Sequence, residues 1–71
     1  MENNLHQEFF PITPYTGYSI VDALKAIGVD NPSFAYRTAI AEINGINNYT
    51  GSPQQNMHML NLLKQGILLR P

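Results

Sequence analysis

Three times in 71 residues the chain places a glycine directly before a β-branched apolar residue, at Gly28-Val29, Gly45-Ile46 and Gly66-Ile67. Each pair closes an apolar-periodic segment that opens on a helix start signal. Glycine takes the left-handed conformation a helix C-terminus favours, and the next apolar residue folds back onto the last turn. Three agreeing stops with matching starts dictate three short helices. Helices this short with brief connections pack as one unit. The expected fold is all-α, a compact three-helix bundle over residues 15–71, preceded by an extended N-terminal arm over residues 1–14.

The helices are bounded by capping chemistry. Helix 1 runs from about Ile20 to Ile27, with Ser19 as N-cap and Asp22, three residues on, completing a capping-box-like pair and favoured by the positive helix end. Ile20, Val21, Ala23, Leu24 and Ile27 give it one apolar face. Helix 2 starts near Asn31-Pro32-Ser33; Asn31 as N-cap places Pro32 at the first helical position, with Ser33 as the competing cap. Tyr36, Ala39, Ile40 and Ile43 mark its buried stripe. Helix 3 follows Ser52, with Pro53 first and Gln55 completing a capping box. Met57, Met59, Leu60, Leu62 and Leu63 cover more than one face, so this is expected to be the most buried helix.

In the arm, Pro11 and Pro14 forbid a helix and push their neighbours toward extended geometry. Phe9, Phe10 and Ile12 are too apolar for a solvated linker, and the tail Leu68-Leu69-Arg70-Pro71 stays apolar to its end. Arm and tail are expected to pair, within one chain or between two, which makes Phe9, Phe10, Ile12, Leu68 and Leu69 candidates for a homo-oligomer contact.

Composition removes several function classes. With no cysteine, neither a disulfide framework nor a thiolate metal site is available. His6 and His58 lie far apart, so no metal site and no cofactor are expected. The formal net charge is -1, and Lys25, Arg37, Lys64 and Arg70 form no run, which disfavours nucleic acid and an anionic membrane surface. No segment reaches the roughly 18 apolar residues of a membrane span. Met1-Glu2-Asn3-Asn4 is not basic and no long apolar stretch follows, so no signal peptide is expected, and an extracellular role would need another route of release.

No catalytic constellation is visible. Ser19, Ser33 and Ser52 read as caps with no histidine close in sequence, and His58 reads as a residue packed at a core edge. Glu2, Glu8, Asp22, Asp30 and Glu42 are too few to suggest facing carboxylates. The chain is expected not to be an enzyme by itself.

Binding is the better-supported class. Eight Asn and four Gln, clustered in part at Asn44, Asn47, Asn48, Gln54, Gln55 and Asn56, offer donors and acceptors without charge; helix caps and turns use the same residues. Tyr15, Tyr18, Tyr36 and Tyr49 combine a flat apolar face with a hydroxyl, the mixture that stacks on sugar rings. Tyr15-Thr16-Gly17 recurs as Tyr49-Thr50-Gly51, each before a helix start. These tyrosines serve equally well as anchors pinning loop to core. Arg37 either ties helix 2 to Asp22 or Asp30, the slightly favoured role, or forks onto a ligand carboxylate.

Residues 15–67 resemble the small helical module at the C-termini of phage endolysins and bacterial peptidoglycan hydrolases. The resemblance rests on Ser19–Lys25 (SIVDALK), Arg37, Asn44–Ile46, Tyr49, Gly51, Gln55-Asn56 and Leu60–Lys64. It implies a non-catalytic cell-wall-binding unit beside an amidase or muramidase domain, acting at the extracellular face of the bacterial wall after release. A looser likeness to the three-helix wall-binding repeats of a phage lysozyme group implies muropeptide contacts from Arg37 and the loop before helix 3. The chain departs from those repeats in its longer Asn47–Gln55 loop and its single copy. The expected ligand is wall glycan or muropeptide, and the candidate ligand-binding residues are Arg37, Asn44, Tyr49, Gln55, Asn56 and Tyr15. The alternative is a protein-interaction or oligomerisation module, supported by the apolar arm and tail and by Met57 and Met59. A small helical regulator of nucleic acid ranks last because of charge.

Overall fold

A computed structural model describes residues 8–71. It holds three helices and no paired strand beyond one isolated bridge: α1 Ile20–Lys25, α2 Phe34–Ile43 and α3 Pro53–Gln65. The protein is an all-α three-helix bundle whose described N-terminal segment is extended. No described helix is long and apolar enough to cross a membrane.

The caps form as side-chain chemistry requires. Ser19 Oγ accepts from Asp22 N at 3.1 Å, but Ser19 N donates to the Tyr15 hydroxyl at 3.3 Å, so the capping-box-like pair expected with Asp22 is only half formed. Ser52 Oγ accepts from Gln55 N at 3.2 Å while Gln55 Oε1 accepts from Ser52 N at 3.3 Å, which completes the capping box. At α2 the cap is Ser33, whose Oγ accepts from Tyr36 N at 3.1 Å, and not Asn31. The reason lies with Pro32: as first helical residue it would give its carbonyl to the helix, but here that carbonyl accepts from Arg37 Nε at 3.1 Å.

All three stops share one bond. Val29 N donates to Leu24 O at 3.1 Å, Ile46 N to Ala41 O at 2.8 Å, and Ile67 N to Leu62 O at 3.0 Å. This is the 6→1 bond of a left-handed helix end, with the preceding glycine at positive φ in each case. Helix 1 stops at Lys25, so Ile27 lies in its closing turn and packs against the core from there.

The core joins all parts of the described chain. Ile20, Ala23 and Leu24 from α1, Ile40 and Ala41 from α2, and Met59, Leu60 and Leu63 from α3 are buried together with Phe10, Ile46, Tyr49 and Leu68. Alpha-1 packs directly on α3. On α2 the fully buried pair is Ile40 and Ala41; Tyr36 packs against the cluster, and Ala39 and Ile43 are half-buried. Met57 and His58 point outward and are exposed, so α3 buries one face, and His58 is not at a core edge.

Arm and tail pair within the chain. Phe9 and Leu69 form an antiparallel bridge, Phe10 N donates to Leu68 O at 2.8 Å, and Arg70 N donates to Glu8 O at 2.9 Å. The Arg70 guanidinium lies over the Phe10 ring, 5.2 Å from its centroid. Thr13, buried, donates its hydroxyl to Ala23 O at 3.0 Å. That carbonyl belongs to the last turn of α1, where the helix supplies no partner of its own. The segment from Phe10 onward is therefore packed into the same unit as the helices.

Candidate functional site at the junction of α2 and α3

The Asn47–Ser52 loop carries the second Tyr-Thr-Gly, and one side chain, Gln55, bonds it at several points. Gln55 Oε1 accepts from Thr50 N at 2.8 Å and from Thr50 Oγ1 at 3.3 Å. Its Nε2 donates to Asn48 O at 3.1 Å and to Asn47 O at 3.4 Å. Gln55 is thus both the capping-box partner of α3 and the post around which the preceding loop is wound. Asn48 takes the left-handed region at φ 55°, which asparagine tolerates better than most residues.

Below this loop runs a chain of donors and acceptors through α2, the loop and α3. Arg37 Nη1 donates to Tyr49 Oη at 3.0 Å. Tyr49 Oη donates to Asn56 Oδ1, and Asn56 Nδ2 donates to Gly51 O at 3.2 Å. Every link runs in the same donor sense, so each bond polarises the next. With the Tyr49 residue 8% exposed, the cluster fixes the loop path on one side and the register of α2 against α3 on the other. Arg37 pairs with neither Asp22 nor Asp30: its bonds go to the Pro32 carbonyl and Tyr49. Its Nη2 has no hydrogen-bond partner among the described residues.

Phe34 lies over this chain. Its ring sits 5.4 Å from the Tyr49 ring at 30°, with the Arg37 guanidinium carbon 5.9 Å from its centroid. A Cβ on Gly51 would come within 3.4 Å of the Phe34 ring, so the loop backbone passes against it. Yet Phe34 is 51% exposed. The result is a flat apolar surface edged by a guanidinium and loop backbone, with a rigid hydrogen-bonded base.

The remaining candidates lie elsewhere. Asn44 is the C-cap of α2 and braces the tail: its Nδ2 donates to Leu69 O at 2.9 Å and to Ile40 O at 2.8 Å, and its Oδ1 accepts from Leu69 N at 2.9 Å. Both ends of that amide are engaged by backbone. Tyr15 belongs to the first corner, where its hydroxyl accepts from Ser19 N at 3.3 Å and its ring occupies the space a Cβ on Gly17 would need. The structure thus gathers Arg37, Tyr49, Gln55 and Asn56 at one junction, and sets Asn44 and Tyr15 at other places as braces.

Phe34 is absent from the candidates named from sequence. A signal existed: it directly follows the Ser33 cap, three residues before Arg37, outside the apolar stripe of α2. An aromatic residue one turn from an arginine and off the buried face is placed to form a cation-supported surface ring.

Other surfaces offer less. A shallow open groove on the outer face of α3 is lined by Pro53, Gln54, Met57, His58 and Asn61, all from one helix, with no second wall. Among the described residues no three His, Cys, Asp or Glu side chains are grouped to hold a metal ion. Compared with protein-family models, curated proteins and solved structures, the chain matches none.

Proposed function

We propose that this chain is a non-catalytic cell-wall-binding domain that targets a peptidoglycan hydrolase, of amidase or muramidase type, to wall glycan or muropeptide at the outer face of a bacterium. One observation carries the reading. Arg37, Tyr49, Gly51 and Asn56, which bear the resemblance to endolysin wall-binding modules, close on one another in a single hydrogen-bonded chain beneath a half-exposed aromatic ring. A ring beside a guanidinium donor and loop backbone groups suits a pyranose, whose C–H face stacks while its hydroxyls bond at the rim.

In this mechanism the side chains divide their work. Phe34 supplies the stacking face and Arg37 Nη2 the open donor toward ligand. Tyr49, Asn56 and Gln55 hold the loop that edges the ring, and Asn44 and Tyr15 brace the scaffold. Because the ring and donor are pre-positioned, little ordering entropy is lost on binding.

Co-sedimentation of the chain with purified Gram-positive cell walls tests the reading. Retention in the pellet that falls for Phe34→Ala supports it; a wild-type chain left in the supernatant removes it.

A second reading, self-association, is favoured by the exposed apolar side chains Phe9, Ile12 and Ile67 on the arm and the closing turn of α3. Phe10, Leu68 and Met59 are buried inside the chain, which leaves that smaller set to form a contact. Sedimentation equilibrium at high protein concentration separates the two readings, since a monomer that binds walls needs no oligomer.

A further inference from the structure

The first Tyr-Thr-Gly corner holds a feature that the junction site does not use. Tyr18, which follows directly, is 81% exposed, and a cation stands beside its ring. Lys64, in the last turn of α3, donates its ammonium to Gly17 O at 2.9 Å. The same ammonium nitrogen stands 5.4 Å from the Tyr18 ring centroid. The Tyr18 hydroxyl has no hydrogen-bond partner among the described residues. A ring backed by a cation and otherwise open to water is a flat apolar platform with an unused hydroxyl at its edge.

The arrangement repeats the one at the other corner. There, Gly51 lies against the Phe34 ring, which Arg37 supports. Here, Gly17 bonds the cation that supports Tyr18. Each Tyr-Thr-Gly glycine is thus built into an exposed ring–cation pair. The two pairs are anchored to α3 at Asn56 and Lys64, eight residues apart, or about 12 Å along the helix at 1.5 Å per residue. Anchors that far apart along α3 call for a ligand of several sugar units, not a single ring.

We propose that Tyr18, supported by Lys64, is a second sugar-stacking subsite, and that the domain grips a glycan strand at two points, Phe34 and Tyr18, at opposite ends of α3. This rests on the cell-wall-binding reading and adds a subsite to it. The ligand class is a polysaccharide of pyranose units. Occupying one subsite raises the effective concentration of the strand at the other, so a single small module holds a polymer better than either ring alone.

The test is a binding titration of the whole chain on purified, peptide-stripped wall glycan, with wild type, Tyr18→Ala, Tyr18→Phe and Phe34→Ala compared at a temperature where circular dichroism shows each folded. Tyr18→Ala is expected to weaken binding about tenfold, and Tyr18→Phe, which keeps the stacking face, to stay within about threefold of wild type. In the wild type, the ring protons of Tyr18 should shift in NMR spectra on addition of glycan. Wild-type binding that is unchanged in Tyr18→Ala, with no Tyr18 ring shift, overturns the second subsite and leaves the wall-binding reading standing. No binding of wild type to the glycan or to intact walls overturns both.

Discussion

Replacing Tyr49 by Phe probes the hydrogen-bonded chain between α2 and α3 with almost no change in shape. The aromatic ring stays in the core and keeps its stack on Phe34. What goes is one oxygen, which accepts from Arg37 Nη1 at 3.0 Å and donates to Asn56 Oδ1. Its removal leaves a guanidinium donor and an amide acceptor unpaired in a partly buried place, and one such orphaned group costs about 1–3 kcal/mol. Arg37 keeps its bond to Pro32 and can turn Nη1 toward water, so the expected loss is near the middle, about 2 kcal/mol. For a domain of this size each kcal/mol shifts Tm by roughly 4–8 °C, so a fall of about 8–16 °C is expected. Urea unfolding followed by circular dichroism gives the free energy directly, with an unchanged m-value. A double-mutant cycle with Arg37→Met should return a coupling energy of about 1 kcal/mol or more. If Tyr49→Phe is neutral within about 0.5 kcal/mol, the chain of bonds does not hold the junction and the reasoning fails.

Three further outcomes follow from the same geometry. Gly28→Ala meets nothing within 4 Å and Gly66→Ala meets Ile12 Cγ1 at 2.8 Å, both at positive φ; the first should cost about 1 kcal/mol and the second about 1 kcal/mol more, as chemical denaturation will read. Asn44→Ala removes three hydrogen bonds at the end of α2; it should cost about 1–2 kcal/mol and speed hydrogen exchange at Leu69 more than at Leu60. Phe34→Ala should lower stability by only about 1 kcal/mol while sharply reducing retention on cell walls.

What was legible in the sequence was local. The caps Ser19 and Ser52, the Gln55 capping box and the three glycine stops depend on residues within a turn of one another, and each forms as expected. Arm and tail were recognisable as partners because both are apolar, but sequence left open whether they meet in one chain; the Phe10–Leu68 and Glu8–Arg70 bonds place the pairing within it. Sequence left the cap of α2 between Asn31 and Ser33, because the competitor for the Pro32 carbonyl, Arg37, reaches it with its side chain. The chain from Arg37 through Tyr49 to Asn56 depends on the course of a nine-residue loop region, which Gln55 helps set by side-chain bonds to five backbone or side-chain groups, and no periodicity encodes that. Phe34 is missing from the sequence candidates, and Tyr18 appears there only as one of four sugar-stacking tyrosines, for a related reason. Their value lies in what supports the ring from below, and Lys64 reaches Gly17 across 47 positions of sequence.

The central claim is that the wall ligand docks on the ring and loop at the junction of α2 and α3. Amide chemical-shift mapping of the isotope-labelled chain, titrated with soluble muropeptide and glycan fragments of peptidoglycan, tests it most directly. The account predicts the largest shifts at Phe34, Arg37, Thr50 and Gly51, with a second set at Gly17 and Tyr18 for glycan fragments that span several sugars. A spectrum unchanged at Phe34 and Gly51, or shifted only along the outer face of α3 at Met57, His58 and Asn61, would contradict it.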